Sequence, residues 1–530
     1  MYSKYSKYSK YSMTDVARLP AVLPLQYTPL KSPHLILHGF NLLNIWTKLL
    51  FIGLLSSTSI RLFAAVPELA TQFERAQTGE QLPGGAASSK NRGKRAFLQS
   101  GANLNFQHQL DFKIGESIFD KLWVFSPSST QASDGLGPLH NARSCMGCHV
   151  RGGRGHVPQG NWPADNSISM LMRLSIPAQN AMQHAQLESG QVPFIAEPTY
   201  GAQLQDFALQ GINAEGRIHI SYHEQSVELK GAEPASLRVP SYKVTDLGYG
   251  PMHPATQHSV RVANPMIGLG LLEAIDQADI LALADPLDAN SDGISGRANK
   301  VWQIASQSLQ LGRFGWKAGN PSIVQQNSAA FANDMGLSTT LLKGSYAGDC
   351  TRVQTSCITA PDGRSAHLGN VEVAEPMFSA LELFVRNIGV PQRKDVGNKA
   401  VLAGKRLFYQ SGCVDCHRPS FVTASSAPKE QAGQLIWPYT DMLLHDMGEG
   451  LADHRGEFNA NGFEWRTAPL WGIGLSAKVS GKTQFLHDAR ARTLLEAILW
   501  HGGEAQPSRD KVVNMNEAQR QQLLIFLESL

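Results

Sequence analysis

Cysteine is scarce in this sequence, with 6 residues in 530. That excludes a small disulfide-built scaffold, in which cysteine exceeds roughly 8% of the chain. Charge of one sign is lacking as well: 47 Lys and Arg face 44 Asp and Glu, a net +3. So small an excess argues for neither nucleic acid nor anionic lipid as a partner. Long hydrophobic runs are also missing. The short apolar core Leu49-Leu-Phe-Ile-Gly-Leu-Leu55 falls well below the roughly 20 residues that cross a bilayer as a helix. What is present is globular in composition, 42% hydrophobic and 17% charged, with length for two or three domains.

The first 66 residues read as a leader. Residues 1–12 repeat Tyr, Ser and Lys, and Met13 is an alternative start. Lys48 followed by the apolar core at 49–55, then small and polar residues, has the order of a signal peptide, with cleavage expected near Ala64 or Ala65. An uncleaved anchor is the alternative, and it would be this chain's only contact with a membrane. The expected location is the periplasm.

Four of the six cysteines fall in Cys145-Met-Gly-Cys148-His149 and Cys413-Val-Asp-Cys416-His417. C-x-x-C-H is the attachment signature of c-type haem: two thiols bond the vinyl groups and the adjacent histidine becomes the proximal iron ligand. A zinc site or a redox dithiol also uses C-x-x-C, but neither needs His directly after both second cysteines. Two covalently bound haems are therefore expected, on Cys145, Cys148 and His149, and on Cys413, Cys416 and His417. The other two cysteines, Cys350 and Cys357, lie in a polar loop. They would form a disulfide in an oxidising compartment and remain free thiols elsewhere.

The two motifs belong to a diverged repeat. Gly115-Glu-Ser-Ile-Phe119 precedes the first and Gly404-Lys-Arg-Leu-Phe408 the second. Arg261 to Leu271 parallels Arg466 to Leu475 in its Pro, Gly, Gly and Leu, and Phe314-Gly-Trp-Lys-Ala318 echoes Phe485-Leu-His-Asp-Ala489. Three echoes in one order argue duplication. The expected fold is mainly α. It has two cytochrome c-like haem domains at 67–340 and 396–530, joined by a disulfide loop and helix at 341–395. A β-containing insertion at about 204–246 is read from alternating runs such as Arg217-Ile-His-Ile-Ser-Tyr222.

With these motifs, Asn141 to Arg154, Tyr439 to Gly448, Glu464 to Gly472 and Leu494 to Gly503 make the chain resemble the bacterial di-haem oxidoreductases over roughly residues 92–530. That family is similar to the di-haem cytochrome c peroxidases and to di-haem enzymes that oxidise residues on partner proteins. The resemblance implies a distal ligand for the second haem after the helix Thr493-Leu-Leu-Glu-Ala-Ile-Leu-Trp500, where this chain has His501. Met447 competes for that role, and a helix-terminal His is the structural alternative. The resemblance also implies a carboxylate over the first haem, after a Gln and before a Met. Here Gln326 precedes Asp334 and Met335; Asp334 would move a proton between peroxide oxygens, or else be a capping carboxylate. Glu273 is a second catalytic candidate, or a structural ion pair. Arg261 and Arg466 are candidates for haem propionates, or are structural. Trp437, Trp465, Trp471 and Trp500 are candidate bridging aromatics.

Asp288-Ala-Asn290-Ser-Asp292-Gly293-Ile294 has the first half of a calcium loop, with hard oxygens at alternate positions and a carbonyl from Ile294. Asn299 stands where a bidentate Glu would complete it, and an Asx-rich turn is the alternative. The function expected is a di-haem oxidoreductase of peroxidase type, taking electrons from a small cytochrome or cupredoxin. An electron carrier without a substrate and a peroxide-dependent oxidase of a protein substrate are the alternatives.

Overall fold

The computed structural model describes residues 73–130, 132–165, 168–344 and 350–530. The signal peptide and its cleavage site therefore lie outside the described residues. Val66–Leu530 forms one unit.

Two helix pairs set the frame. Helix Phe106–Asp120 begins at Asn105, whose side chain accepts the His108 N–H at 2.9 Å and so satisfies one of the end donors that a helix leaves open. Phe112, Gly115 and Phe119 share its buried face and meet helix Glu375–Arg386. The Phe384 ring lies 4.7 Å from Phe112 and 5.2 Å from Phe119. Gly115 is required at the crossing, because a Cβ there would collide with the Ala380 carbonyl oxygen and the Phe384 Cβ.

The second pair repeats the device. Helix Lys399–Gln410 crosses helix Glu517–Ser529, and a Cβ on Gly404 would strike the Gln522 carbonyl oxygen and Phe526. The two glycines that correspond in sequence thus make the same close approach. Helix Glu375–Arg386, expected as a connection, packs as the first pair's second helix.

The mainly α expectation is not what the structure has. It is 30% helical and 18% strand, and its described strands pair into seven two-stranded sheets. The physical reason lies between the haem-flanking helices. With 48 Gly and 28 Pro in the chain, those intervals rarely sustain a helical period, and they close into short ladders and turns instead.

The largest ladder is the hairpin of Arg217–Val227 with Ala235–Thr245, in register from Arg217↔Thr245 to Val227↔Ala235. It occupies the region expected to hold β structure. The run Arg217–Tyr222 lies in its first strand. The hairpin grips a distant loop: Arg238 donates to the Ala489 and Arg490 carbonyls at 2.9 and 3.2 Å, and the Tyr242 hydroxyl donates to Asp488 at 2.8 Å. A shorter ladder, Met170–Ser175 with Gln257–Val262, carries Arg261. Cys350 and Cys357 are joined in a disulfide. Among the described residues, no helix is long and apolar enough to cross a membrane.

Candidate functional site

Each C-x-x-C-H forms one helical turn with the histidine at its end. In the first, the Ser144 hydroxyl accepts the Gly147 N–H at 3.1 Å and the His149 N–H closes on the Cys145 carbonyl. In the second, Gly412 enters the turn at φ 84°, a conformation that glycine adopts without steric cost. The imidazoles are set alike. His149 Nδ1 lies 2.6 Å from the Asn264 carbonyl oxygen, and His417 Nδ1 lies 3.0 Å from that of Tyr439. A carbonyl only accepts, so Nδ1 carries the proton and Nε2 keeps the lone pair that a metal needs. Burial lowers both histidine pKa values, His417 to about 4, which keeps them neutral. Burial also pushes the Cys145 and Cys413 thiols up to about 12, the opposite of a poised redox dithiol.

Each motif lines its own cleft. A haem fits the donor set: paired thiols, a neutral imidazole with free Nε2, and largely apolar walls. Each wall also holds an orphaned buried donor, Asn327 Nδ2 in the first and Arg509 Nε in the second, available to a group that brings its own acceptors.

His501 lies in the second cleft with His417. Its Nδ1 is 2.7 Å from the Ala497 carbonyl oxygen, so its Nε2 is free in the same way. Met447 lines this cleft too, but it has no comparable fixing contact among the described residues.

Asp334 and Gln326 line the first cleft with His149. Both stand on helix Ile323–Met335, which is capped by the Ser322 side chain. Burial raises the Asp334 pKa, against the lowering effects of Arg173 and of the Gln203 amide, which donates to Oδ1 at 3.0 Å. Gln203 also bonds the Asn141 side-chain oxygen, and Asn141 donates to Asp206 at 2.9 Å. Asp206 is itself raised to about 6 by burial. Two carboxyls whose pKa values burial raises are thus joined by a run of amides.

Glu273 lines neither cleft. It pairs with Arg386 and accepts the Ile323 N–H at 2.8 Å, which fixes the start of the helix that carries Gln326 and Asp334. Arg261 is engaged by Glu457 at 2.8 Å, whereas Arg466 lines both clefts. Asp288, Asn290 and Asp292 form an exposed loop in which Asp288 accepts the Gly293 N–H and Asp292 the Ile294 N–H. Asn299 turns away from it to bond Lys317, Glu457 and Asn459. Ile294 lines the second cleft. Among the described residues, no group of three or more His, Cys, Asp and Glu is gathered to hold a metal ion.

Three features were missed in the sequence. Arg154 lines both clefts, although it lies within a quoted motif. Trp316 lines the second cleft from the first repeat, 5.3 Å from the Arg154 guanidinium. The third was legible: the echo beginning at Phe314 and Phe485 continues in step through both walls. Phe314 bridges to Asn320 and Phe485 to Ala491; Ala318 and Ala489 both take positive φ; Ser322 and Thr493 both cap helices. Continued further, the alignment sets Ile323 with Leu494, Gln326 with Ala497, Asn327 with Ile498, Ala330 with His501 and Asp334 with Ala505. All ten line their respective clefts.

Paired haem-binding clefts in one chain define a di-haem redox protein. Residues 80–530 match the family described as "Di-haem oxidoreductase, putative peroxidase", and the chain belongs to that di-haem oxidoreductase family. Haem is accordingly its cofactor. Comparison with curated proteins returned no match. Among solved structures, the hydrazine synthase of Kuenenia stuttgartiensis is similar at 19% identity over 30% of this chain and 56% of that one, with a TM-score of 0.21. This chain thus spans little more than half of that protein's length, and the overlap carries no argument.

Proposed function

We propose that this chain is an exported c-type di-haem oxidoreductase that reduces peroxide at the first cleft with electrons received through the second. Cys145 and Cys148, and Cys413 and Cys416, would hold the haems as thioethers, with His149 and His417 as proximal ligands. Bound there, the haems supply iron centres that exchange single electrons, and the one with an open face offers peroxide a place to bind.

One observation carries the reading. Where the second wall presents His501, the first presents the methyl group of Ala330, with Asp334 one helical turn further on. His417 and His501 line the same cleft; two imidazoles on a haem iron held there would suit electron transfer, with a small cytochrome or cupredoxin as the class of donor. Ala330 lines the cleft that holds His149, and its small side chain would leave room for a substrate. Reducing peroxide to two waters takes two electrons and two protons. Asp334 holds a proton above the usual carboxylate range and is positioned by Gln203, so it can give that proton to one peroxide oxygen and take one from the other. Gln326 sits one turn before Ala330, and its side-chain oxygen accepts from Asn320 at 3.0 Å; its amide N–H groups would be donors to a bound peroxide. Export is supported by the Cys350–Cys357 disulfide, since such bonds persist in oxidising compartments.

The test is Asp334→Asn. Peroxide-dependent turnover is expected to fall by ~10²-fold or more, the size of a general acid–base contribution, with haem content and resting spectra unchanged. Undiminished turnover would remove Asp334 from the mechanism. An electron carrier without a substrate is the second reading. It stands on Met266 and Met335, thioethers that line the first cleft; either one on iron would close the open face. An oxidase of a partner protein would use the same open site and draw its electrons from that protein.

A further inference from the structure

We infer that Arg154 and Arg466 form a carboxylate seat in the wall between the two clefts, occupied by propionate groups of the bound haems. The inference rests on the di-haem reading. It begins from how this molecule treats its other buried cations. Arg261 has Glu457 at 2.8 Å, Lys317 has Asp453 at 2.9 Å, Arg393 and Lys405 share Glu80 at 2.8 and 2.9 Å, and Arg490 has Asp488 at 2.8 Å. Arg520 has no carboxylate, but three backbone carbonyls, those of Val513, Met515 and Lys230, surround it.

Arg154 and Arg466 are as deeply buried, at 9% and 7% exposure, yet no carboxylate lies within ion-pair distance of either among the described residues. Arg154 donates to one acceptor, the Leu486 carbonyl at 3.0 Å, and otherwise lies against the Trp316 and Phe485 rings. Arg466 bonds the Gly315 and Thr467 carbonyls, each at 3.0 Å, and touches the Met442 sulfur. Asp441 acts on Arg466 only through space, being held by His445 at 2.7 Å.

A buried, unpaired cation is strongly unfavourable unless an anion joins it. Burial pulls both guanidiniums down to about 10, so each still carries its charge at neutral pH. Both line both clefts. The anion must therefore come from what fills the clefts, and haem carries two propionate carboxylates. The planar fork of Arg matches a carboxylate with paired donors. A fixed cation beside both haems would oppose oxidation of each iron and so raise both midpoint potentials.

The experiment is spectroelectrochemical titration of the purified holoprotein and of Arg154→Gln, Arg154→Lys and Arg466→Gln, with haem counted per chain. Arg154→Gln and Arg466→Gln should each lower both midpoints while two haems remain bound, and Arg154→Lys should restore most of the shift. Adding acetate to the wild type should move neither midpoint. Two haems with midpoints unmoved by both Gln variants would overturn the seat and leave the di-haem reading intact. A shift on adding acetate would give the guanidiniums to a free anion and overturn it too. A wild type with fewer than two haems would instead sink the di-haem reading itself. If one Gln variant fails to accumulate, the Gln variant at the other position decides: lowered midpoints with two haems bound support the seat, and unmoved midpoints contradict it.

Discussion

Across the first cleft, the helix Ile323–Met335 presents Gln326, Asn327, Ala330 and Asp334; across the second, the matching stretch presents Ala497, Ile498, His501 and Ala505. Position by position the chemistry is exchanged. Amides and a carboxyl line one cleft, and aliphatic groups with one imidazole line the other. The proximal sides barely differ, each being a one-turn helix whose histidine has Nδ1 on a backbone carbonyl. The two repeats thus keep the C-x-x-C-H turn alike and differ in the wall that matches Ile323–Met335. A site for transferring electrons wants a fixed ligand and little polarity. A site for splitting peroxide wants space and a proton.

The largest effect should come from removing one grip at a time. Cys145→Ser with Cys148→Ser should cut the haem count from two to one, leaving the spectrum of the second haem in place. Haemochrome assay and intact mass check this, and loss of both haems would mean that the clefts are not independent.

Next in size is exchange of the walls. Ala330→His should turn the first haem low-spin and abolish peroxide turnover, while His501→Ala should give the second haem a high-spin signal. EPR reads both. A high-spin first haem in Ala330→His would show that position 330 does not face the iron.

The smallest effect concerns the buried charge cluster beside the second cleft, where Arg261 and Arg455 share Glu457 at 2.8 and 3.2 Å. These cations hold the Glu457 pKa down at about 2 from an ordinary 4.5, against the cost of burial. A depressed carboxylate contributes stability above its unfolded pKa and loses it as pH falls through the folded one, here from about 4.5 to about 2. Glu457→Gln should cost ~3–5 kcal/mol at neutral pH, as breaking a buried pair does. It should also flatten the acid limb of stability over that range. Denaturant titration at several pH values decides, and parallel acid limbs would contradict the account.

What could be read in the sequence was what is local. Cys145, Cys148 and His149 sit within one turn, and so do Cys413, Cys416 and His417, so spacing alone announces them. His501 and Asp334 were reachable because each lies at a fixed step from a recognisable helix. Arg154 and Arg261 could not be told apart, because partners distant in sequence decide their roles. Arg261 meets Glu457 across 196 positions of chain, while Arg154 meets no carboxylate. The mainly α expectation failed for a related reason. It extended the pattern of the haem-flanking helices into Gly- and Pro-containing intervals, where short ladders such as Met170–Ser175 with Gln257–Val262 and Lys300–Gln303 with Ser308–Leu311 form instead. Glu273 looked catalytic for its position after Gly270, yet its two contacts, Arg386 and the Ile323 N–H, are tertiary.

The central claim is that one haem has an open face and the other does not. Low-temperature EPR of the holoprotein, oxidised and half-reduced, with and without peroxide, tests it most directly. The account predicts one low-spin haem that peroxide leaves alone and one high-spin haem whose signal peroxide changes. Two low-spin haems at every redox level, inert to peroxide, would contradict it.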